Sequence, residues 1–133
     1  MREANHSDVD YFVQAGKEFC EQTPFKFDQE SYRSVIHSLV DDPDVVSVVD
    51  GDPVKCHSVA KLIPNFYNAN EIIAKVFTTW GIGGLRCFIE VEKITKARGA
   101  KFIIADSMIA PRIIRFYERQ GMTCQDSVFI KEL

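Results

Sequence analysis

The chain has 133 residues, 46% of them hydrophobic, so it is expected to form one domain over residues 1–133 with a single core. Its net charge of −3 argues against a nucleic-acid partner. No stretch approaches the ~18 apolar residues that cross a bilayer, and the first 20 residues lack a signal-peptide core. We therefore expect a cytoplasmic protein with no membrane partner.

Charge is distributed unevenly along the chain. Residues 1–70 carry 6 Lys and Arg against 12 Asp and Glu, whereas residues 71–133 carry 10 against 7. The second half is therefore the better host for an anionic ligand and the first half for a cationic one, unless the charges only solvate two surfaces. The four cysteines form no C-x-x-C pair and have no nearby histidine at a metal-ligand spacing, so we expect buried or half-buried thiols and no metal.

The first half of the chain predicts a short strand, two helices and a hairpin. Ser7 is the expected N-cap of the first helix, and Asp28 that of a second helix that stops before Asp41. Apolar residues recur every three to four positions in both segments. A valine-rich strand over 45–49, a turn at Asp50-Gly51 and a returning strand over Val54–Ile63 follow.

The second half predicts alternating strands and helices. In order these are a loop at Pro64–Asn70, a strand at Ile72–Phe77, a helix at Gly83–Arg98 ended by Gly99, a strand at Phe102–Ala105, a helix from Pro111 to about Gly121 and a strand at Val128–Ile130. The fold class is therefore mixed α/β (α+β), with one central mixed sheet.

Three glycines lie between a predicted strand and a predicted helix. Gly81, Gly83 and Gly84 precede helix amides that lack intrahelical acceptors, and such a junction favours an anion. The segment is neither a Walker loop nor a complete G-x-G-x-x-G motif. A phosphate site and a purely structural turn therefore both remain open.

Two segments resemble the GNAT superfamily of N-acetyltransferases. The segment from Thr78 to Gly83 is similar to the family's Q/R-x-x-G-x-G/A loop, and the run from Arg115 to Met122 resembles its F/L-Y-E-x-x-G-F segment. The opening residues 2–8 are similar to the family's first strand and capped helix. The resemblance covers the chain in order and implies helices on both sheet faces, with two splayed parallel strands at the cofactor site.

The resemblance implies acetyl-CoA as cosubstrate and an amine as acceptor. The splayed strands would be Ile72–Phe77 and Phe102–Ala105, and glycine amides would bind the pyrophosphate. The expected cofactor-binding residues are Phe77, Thr78, Trp80, Gly81, Ile82, Gly83, Gly84, Leu85 and Ser107. Tyr117 matches the motif tyrosine and is the candidate general acid, because a phenol is protonated at neutral pH. Tyr117 also falls on an apolar stripe, so a place in the core remains open.

The sequence departs from the family pattern at three places. Thr78 replaces the first Q/R of the loop, the stretch before the glycines is short and contains Trp80, and Ala110 stands where an asparagine is common. The strand before the loop also lacks a carboxylate that could serve as general base. Glu71, at the start of the strand, is the nearest candidate, although a solvated strand-end glutamate is the more usual explanation. His6, His37 and His57 are expected to be ordinary surface or edge residues.

Two functions are compatible with these residues. The first is an acetyl-CoA-dependent N-acetyltransferase, whose acceptor is a small amine, a protein lysine or an N-terminus, and is cationic if the acidic first half lines the entrance. The second is a GNAT-like binding or structural component of a larger assembly with weak or no catalysis. Phe66 and Tyr67 would line the acceptor entrance or only anchor their loop. A homodimer or a larger assembly remains open.

Overall fold

The computed structural model describes residues 1–106, 111–124 and 131–132 and shows one mixed sheet between two helical layers. The described strands follow one another in the order β1-β2-β3-β4-β5, and among them only the β4–β5 pair is parallel. A single 3₁₀ turn at His6–Asp8 precedes the first helix. The strands are β1 (Arg2–Glu3), β2 (Val45–Asp50), β3 (Cys56–Asn65), β4 (Asn68–Gly81) and β5 (Ala100–Ile104); the helices are α1 (Val9–Cys20), α2 (Gln29–Asp41), α3 (Gly84–Ala97) and α4 (Pro111–Arg119).

Each face of the sheet has its own apolar core, because successive strand residues point to opposite sides. Val45, Val49 and Val59 pack with α1 and α2. Val46, Val48, Ala60 and Val76 pack with α3 and α4. The expectation of helices on both faces of a mixed sheet is confirmed.

The caps of the first two helices differ in how well the sequence predicts them. Asp28 caps α2 as expected, since its carboxylate accepts a hydrogen bond from the Ser31 amide at 2.7 Å. Ser7 is not the first N-cap. Asn5 caps the 3₁₀ turn, and the Asp8 carboxylate accepts from the Asn5 amide at 2.9 Å, which completes a capping box.

The β3–β4 hairpin is longer than the sequence patterns predict. The strand expected at Ile72–Phe77 extends from Asn68 to Gly81, and the loop expected at Pro64–Asn70 is reduced to a turn at Phe66 and Tyr67. Thr78, Thr79 and Trp80 have high β propensity and pair with β3, so they continue the strand. Glycine spacing indicated a loop here, but strand pairing overrides it.

The parallel pairing of β4 and β5 ends before β4 does. The last paired residues are Lys75 and Ile104, whereas β4 continues beside β3 as far as Gly81. Glycine ends α3 as predicted, because Gly99 has φ +94° directly after the C-cap Arg98. The strand predicted at Val128–Ile130 lies outside the described residues.

Candidate active site

The candidate site begins where β5 leaves β4. From Val76 to Gly81, β4 is paired with β3 on one side, while β5 does not cover its other side. Backbone amides and carbonyls on an uncovered strand edge are ready to pair with an extended ligand. Such an edge is the splayed arrangement that the sequence predicted.

A β-bulge at Phe77 changes the direction of β4 at this edge. Val76 pairs with Ala60 and Thr78 with Val59, so Phe77 is an extra residue in β4. Its side chain is 52% exposed. The bulge therefore presents the backbone around Phe77 to the opening between β4 and β5.

The N-terminus of α3 follows two residues after the strand. Gly83 is its N-cap with φ +101° and makes no side-chain cap. Gly84 and Leu85 occupy the first turn, where amides have no acceptor within the helix. The first turn holds no acidic residue, and Arg86 lies in it with its guanidinium 3.4 Å from Asp50. These residues form a site suited to an anion, and Arg86 is a basic member of it that sequence reasoning missed.

The side chains of Thr78 and Trp80 are directed away from this anion site. Thr78 Oγ1 lies 3.2 Å from His57 Nε2, and the Trp80 ring makes an edge contact with Phe19 on α1. Only their backbones remain available to a ligand in the opening.

Gly81 is required by the close approach of two strands. A Cβ at Gly81 would lie 2.1 Å from the Lys55 carbonyl oxygen, and the residue has φ +86°. Of the two alternatives that the sequence left open for this glycine, the structural one explains it. Ile82 is 92% exposed between Gly81 and the N-cap.

Tyr117 extends from α4 into the core below the opening. It is 8% exposed, and its ring lies 5.1 Å from Phe88 and 5.7 Å from Phe116 between centroids. Burial raises the pKa of Tyr117, a hydrogen bond with the Thr79 side chain opposes that rise, and the charge of Asp106 adds to it. The phenol is therefore held protonated next to β4.

Two lysine–carboxylate pairs join β4 to β5, one at each end of the paired segment. At the open end, Lys75 Nζ lies 3.3 Å from Asp106 Oδ2. At the closed end, Lys101 Nζ lies 3.3 Å from Glu71 Oε1. Glu71 lies four positions before Lys75 in β4, which is about 13 Å along the strand. The structure therefore does not bring Glu71 to the opening. Asp106 is the carboxylate found there, and its only sequence signal is its place directly after a predicted strand.

His57 is buried, contrary to the expectation of a surface or edge residue. It is 2% exposed, and its Nδ1 lies 2.9 Å from the Tyr11 hydroxyl. Burial lowers the pKa of His57 to about 4, so the imidazole is neutral at physiological pH. The alternation of side chains along β3 could have predicted this burial, because it places His57 on the same sheet face as the buried Val59.

The other two histidines contact each other. His6 Nδ1 lies 2.7 Å from His37 Nδ1, and His6 Nε2 lies 2.6 Å from Asp41. Within residues 1–106, 111–124 and 131–132 no group of three or more His, Cys, Asp or Glu is placed to hold a metal ion. In the same ranges no helix is long and apolar enough to span a membrane.

The remaining sequence candidates are Ser107, Phe66 and Tyr67. Ser107 lies outside the described residues. Phe66 and Tyr67, each 92% exposed, form the turn of the β3–β4 hairpin, ten residues of strand before Phe77 and thus about 30 Å from the bulge. They do not line the opening.

Comparison with solved structures identifies the architecture. Glucosamine-6-phosphate N-acetyltransferase from Arabidopsis thaliana superposes with a TM-score of 0.76 at 14% identity, over 98% of this chain and 95% of that one. A predicted acetyltransferase with acetyl-CoA from Clostridium acetobutylicum gives 0.77 at 12%, over 98% and 94%. A transcriptional regulator from Bacillus halodurans gives 0.80 at 17%, over 99% and 97%.

No protein-family model and no curated protein matches the sequence. At these identities the structural likeness concerns the fold, and it extends over nearly the full length of each chain. The chain therefore has the fold of the GNAT acetyltransferases.

Proposed function

We propose that the protein is an N-acetyltransferase that moves an acetyl group from acetyl-CoA to an amine. The observation that carries this proposal is the early end of the β4–β5 pairing at Lys75 and Ile104, which leaves an open edge of β4 leading to the unsatisfied amides that begin α3. An extended strand edge and an anion site are joined in one opening. Acetyl-CoA has a peptide-like pantetheine arm and a pyrophosphate, which match these two parts.

The anion site fits a pyrophosphate in both charge and space. Amides of Gly83, Gly84 and Leu85 would hold the phosphate oxygens, and Arg86 would supply the positive charge that Thr78 lacks. A side chain at Gly83 would meet Arg86 Nη2 at 3.1 Å, so glycine leaves room for the guanidinium to move. The residues present therefore fit the cosubstrate.

The strand edge would orient the acyl end of the cosubstrate. Backbone groups around Phe77 would pair with the pantetheine amides, which fixes the thioester in the opening. Acetyl-CoA supplies an acetyl group activated as a thioester. Tyr117 holds a proton on its hydroxyl beside Thr79 and would give it to the leaving thiolate.

The acceptor would reach the opening from the face that carries α1 and α2. Val76 packs on the α3 side, so its neighbour Lys75 faces the other side, together with its partner Asp106. An acetyltransferase of this kind needs no metal and no membrane, and we place it in the cytoplasm. The acidic residues of the first half support a cationic amine as acceptor.

Matched substitutions at Gly83 test cosubstrate binding. Gly83→Asn and Gly83→Asp both place a side chain at φ +101°, so both incur the strain of the left-handed region, about 1–2 kcal/mol. Only the aspartate adds a negative charge where phosphate would bind. We expect acetyl-CoA at 100 times its Kd to stabilise the wild type by about 2.7 kcal/mol, Gly83→Asn by a smaller amount and Gly83→Asp not at all.

Differential scanning fluorimetry with and without acetyl-CoA measures this effect, and denaturant unfolding checks that both variants are folded. Equal stabilisation of the two variants by acetyl-CoA would show that this loop does not bind the phosphates. No stabilisation of the wild type by acetyl-CoA or CoA would contradict the proposed function and leave a binding or structural component as the better explanation.

A further inference from the structure

Lys75 and Asp106 occupy the position at which an acceptor amine would meet the thioester. Lys75 is the last β4 residue paired with β5, and Asp106 follows two residues after its pairing partner Ile104. Their 3.3 Å contact therefore crosses the point where the two strands separate. The Lys75 side chain is 32% exposed and that of Asp106 48% exposed, so both are reached from solvent.

The two residues also share the face from which an acceptor would arrive. Ile103 and Ala105 pack against the core on the α3 side, so Ile104 and Asp106 are directed to the opposite face by alternation. Lys75 has the same direction, because its neighbours Ala74 and Val76 are buried. The protein thus has a primary amine of its own, that of Lys75, paired with the Asp106 carboxylate on the side from which an acceptor would approach.

The charge of Asp106 also acts on the Tyr117 hydroxyl, where it raises the pKa. An amine and a carboxylate thus face the opening from the side of α1 and α2, and the protonated Tyr117 phenol lies on the α3 side, where its hydroxyl contacts the Thr79 side chain. These are the three functions that amide formation from a thioester requires: a nucleophile, a group that takes its proton, and a donor to the leaving sulfur.

From this arrangement we infer that Lys75 is itself an acceptor, so that the protein acetylates its own Lys75 when acetyl-CoA is bound. The inference rests on the proposed function, because the acetyl donor must bind in the opening. It assigns a modification site and gives Asp106 the role of proton acceptor. Asp106 is then released from its ion pair once Lys75 becomes an uncharged amide.

The step is balanced as follows. The Lys75 ammonium first loses a proton to solvent. Its Nζ then forms a bond to the acetyl carbon, and Asp106 accepts the second proton that the nitrogen loses. The C–S bond breaks with its electron pair on sulfur, which takes the Tyr117 phenolic proton. Solvent returns a proton to Tyr117 and removes the one on Asp106, so the sum is one amide, one thiol and one released proton.

The chain contains a matched internal control. Lys101 and Glu71 form a second pair between the same strands at the same 3.3 Å distance, but at the closed end. The Lys101 side chain is 65% exposed, more than the 32% of Lys75. Chemical acetylation without a site would therefore favour Lys101, whereas acetylation in the opening favours Lys75.

The experiment incubates the purified full chain with acetyl-CoA and follows acetylation of each lysine by peptide mass spectrometry. We expect Lys75 to be modified at least about tenfold faster than Lys101. Asp106→Asn should slow Lys75 modification on the order of 10²-fold, while the matched change Glu71→Gln leaves it unaltered. Denatured protein gives the background for both lysines.

A second measurement does not depend on turnover. An amine-reactive ester labels Lys75 and Lys101 with and without plain CoA, and we expect CoA to protect Lys75 only. If acetyl-CoA stabilises the protein but Lys75 reacts no faster than Lys101 and is not protected, the inference is overturned while the proposed function stands. If acetyl-CoA does not stabilise the protein, both fail together.

Discussion

At the scale of single residues, the surroundings of a side chain decide which of two sequence-based interpretations holds. The sequence left Tyr117 open between a catalytic acid and a core aromatic. Its ring packs against Phe88, as a core residue does, while its hydroxyl lies at the Thr79 side chain on β4. The two interpretations are compatible, because the core interpretation concerns the ring of Tyr117 and the catalytic one concerns its hydroxyl oxygen.

Removing the Tyr117 hydroxyl separates these two contributions. Tyr117→Phe keeps the ring contacts and leaves Thr79 bonded to Ser58 Oγ at 2.9 Å, so we expect a loss of stability of only about 1 kcal/mol. Because general acid catalysis is worth about 10² to 10⁴, acetyl transfer should fall by that factor with unchanged acetyl-CoA affinity.

Steady-state rates and acetyl-CoA titrations of purified protein measure the Tyr117 effect. Tyr67→Phe is the control, since it removes a hydroxyl from a 92% exposed turn and should change neither rate nor stability. Full activity in Tyr117→Phe would show that water or another group protonates the leaving thiolate. A large loss of stability would instead assign the hydroxyl to the core.

At the scale of secondary structure, local patterns predicted where elements lie but not how far they extend. The positions of the described helices agree with apolar periodicity, and Asp28 and Gly99 mark helix ends as predicted, since these signals are local. The length of β4 depends on pairing with β3 from Cys56 to Asn65, which no local pattern contains. The same limit applies to the site: the glycines can be recognised in the sequence, whereas the Lys75–Asp106 contact joins residues 31 positions apart.

The contact between α1 and the β3–β4 hairpin contains a buried polar chain. His57 on β3 connects the Tyr11 hydroxyl at 2.9 Å with Thr78 Oγ1 at 3.2 Å, and the Phe12 ring lies 4.8 Å from the imidazole. Neutral imidazole can donate through one nitrogen and accept through the other. Protonated His57 would lose its acceptor and place a charge in an apolar layer, so this contact between elements is expected to weaken at acid pH.

The stability of the protein should therefore fall as pH decreases toward 4. The folded pKa of His57 is lowered to about 4 from 6.5, so between these values the unfolded chain binds more protons. The free energy of unfolding consequently rises with pH across this window. The contribution is fully present above about 6.5 and is lost as pH falls to 4, by roughly 3 kcal/mol in all.

Urea unfolding at pH 7.5 and pH 5 of the wild type and of His57→Gln isolates this contribution. Carboxylates titrate in both proteins and cancel in the comparison. We expect the wild type to lose about 2 kcal/mol more than the variant between the two pH values. An equal pH dependence in both proteins would show that His57 titrates normally and that the buried placement has no electrostatic consequence.

At the scale of the whole molecule, the chain divides its charge between the two sheet faces. Helices α1 and α2 and strands β1, β2 and β3 come from the acidic half, and α3, β5, α4 and most of β4 come from the basic half. Composition alone indicated this division. It could not show that α1 and α2 cover one sheet face and α3 and α4 the other, because that requires the fold.

The division of charge predicts how the acceptor responds to salt. An anionic cosubstrate would bind on the basic side, and a cationic amine would approach across the acidic side, where the potential raises its local concentration. Screening acts over about 30 Å at 0.01 M salt and about 8 Å at 0.15 M. The KM for spermidine, measured at saturating acetyl-CoA, should therefore rise several-fold between these salt concentrations while kcat stays constant. Glutamate, an amine with net negative charge, should be a poor acceptor whose KM falls or stays level. Preference for glutamate over spermidine, or a spermidine KM indifferent to salt, would show that the acidic half only solvates the surface.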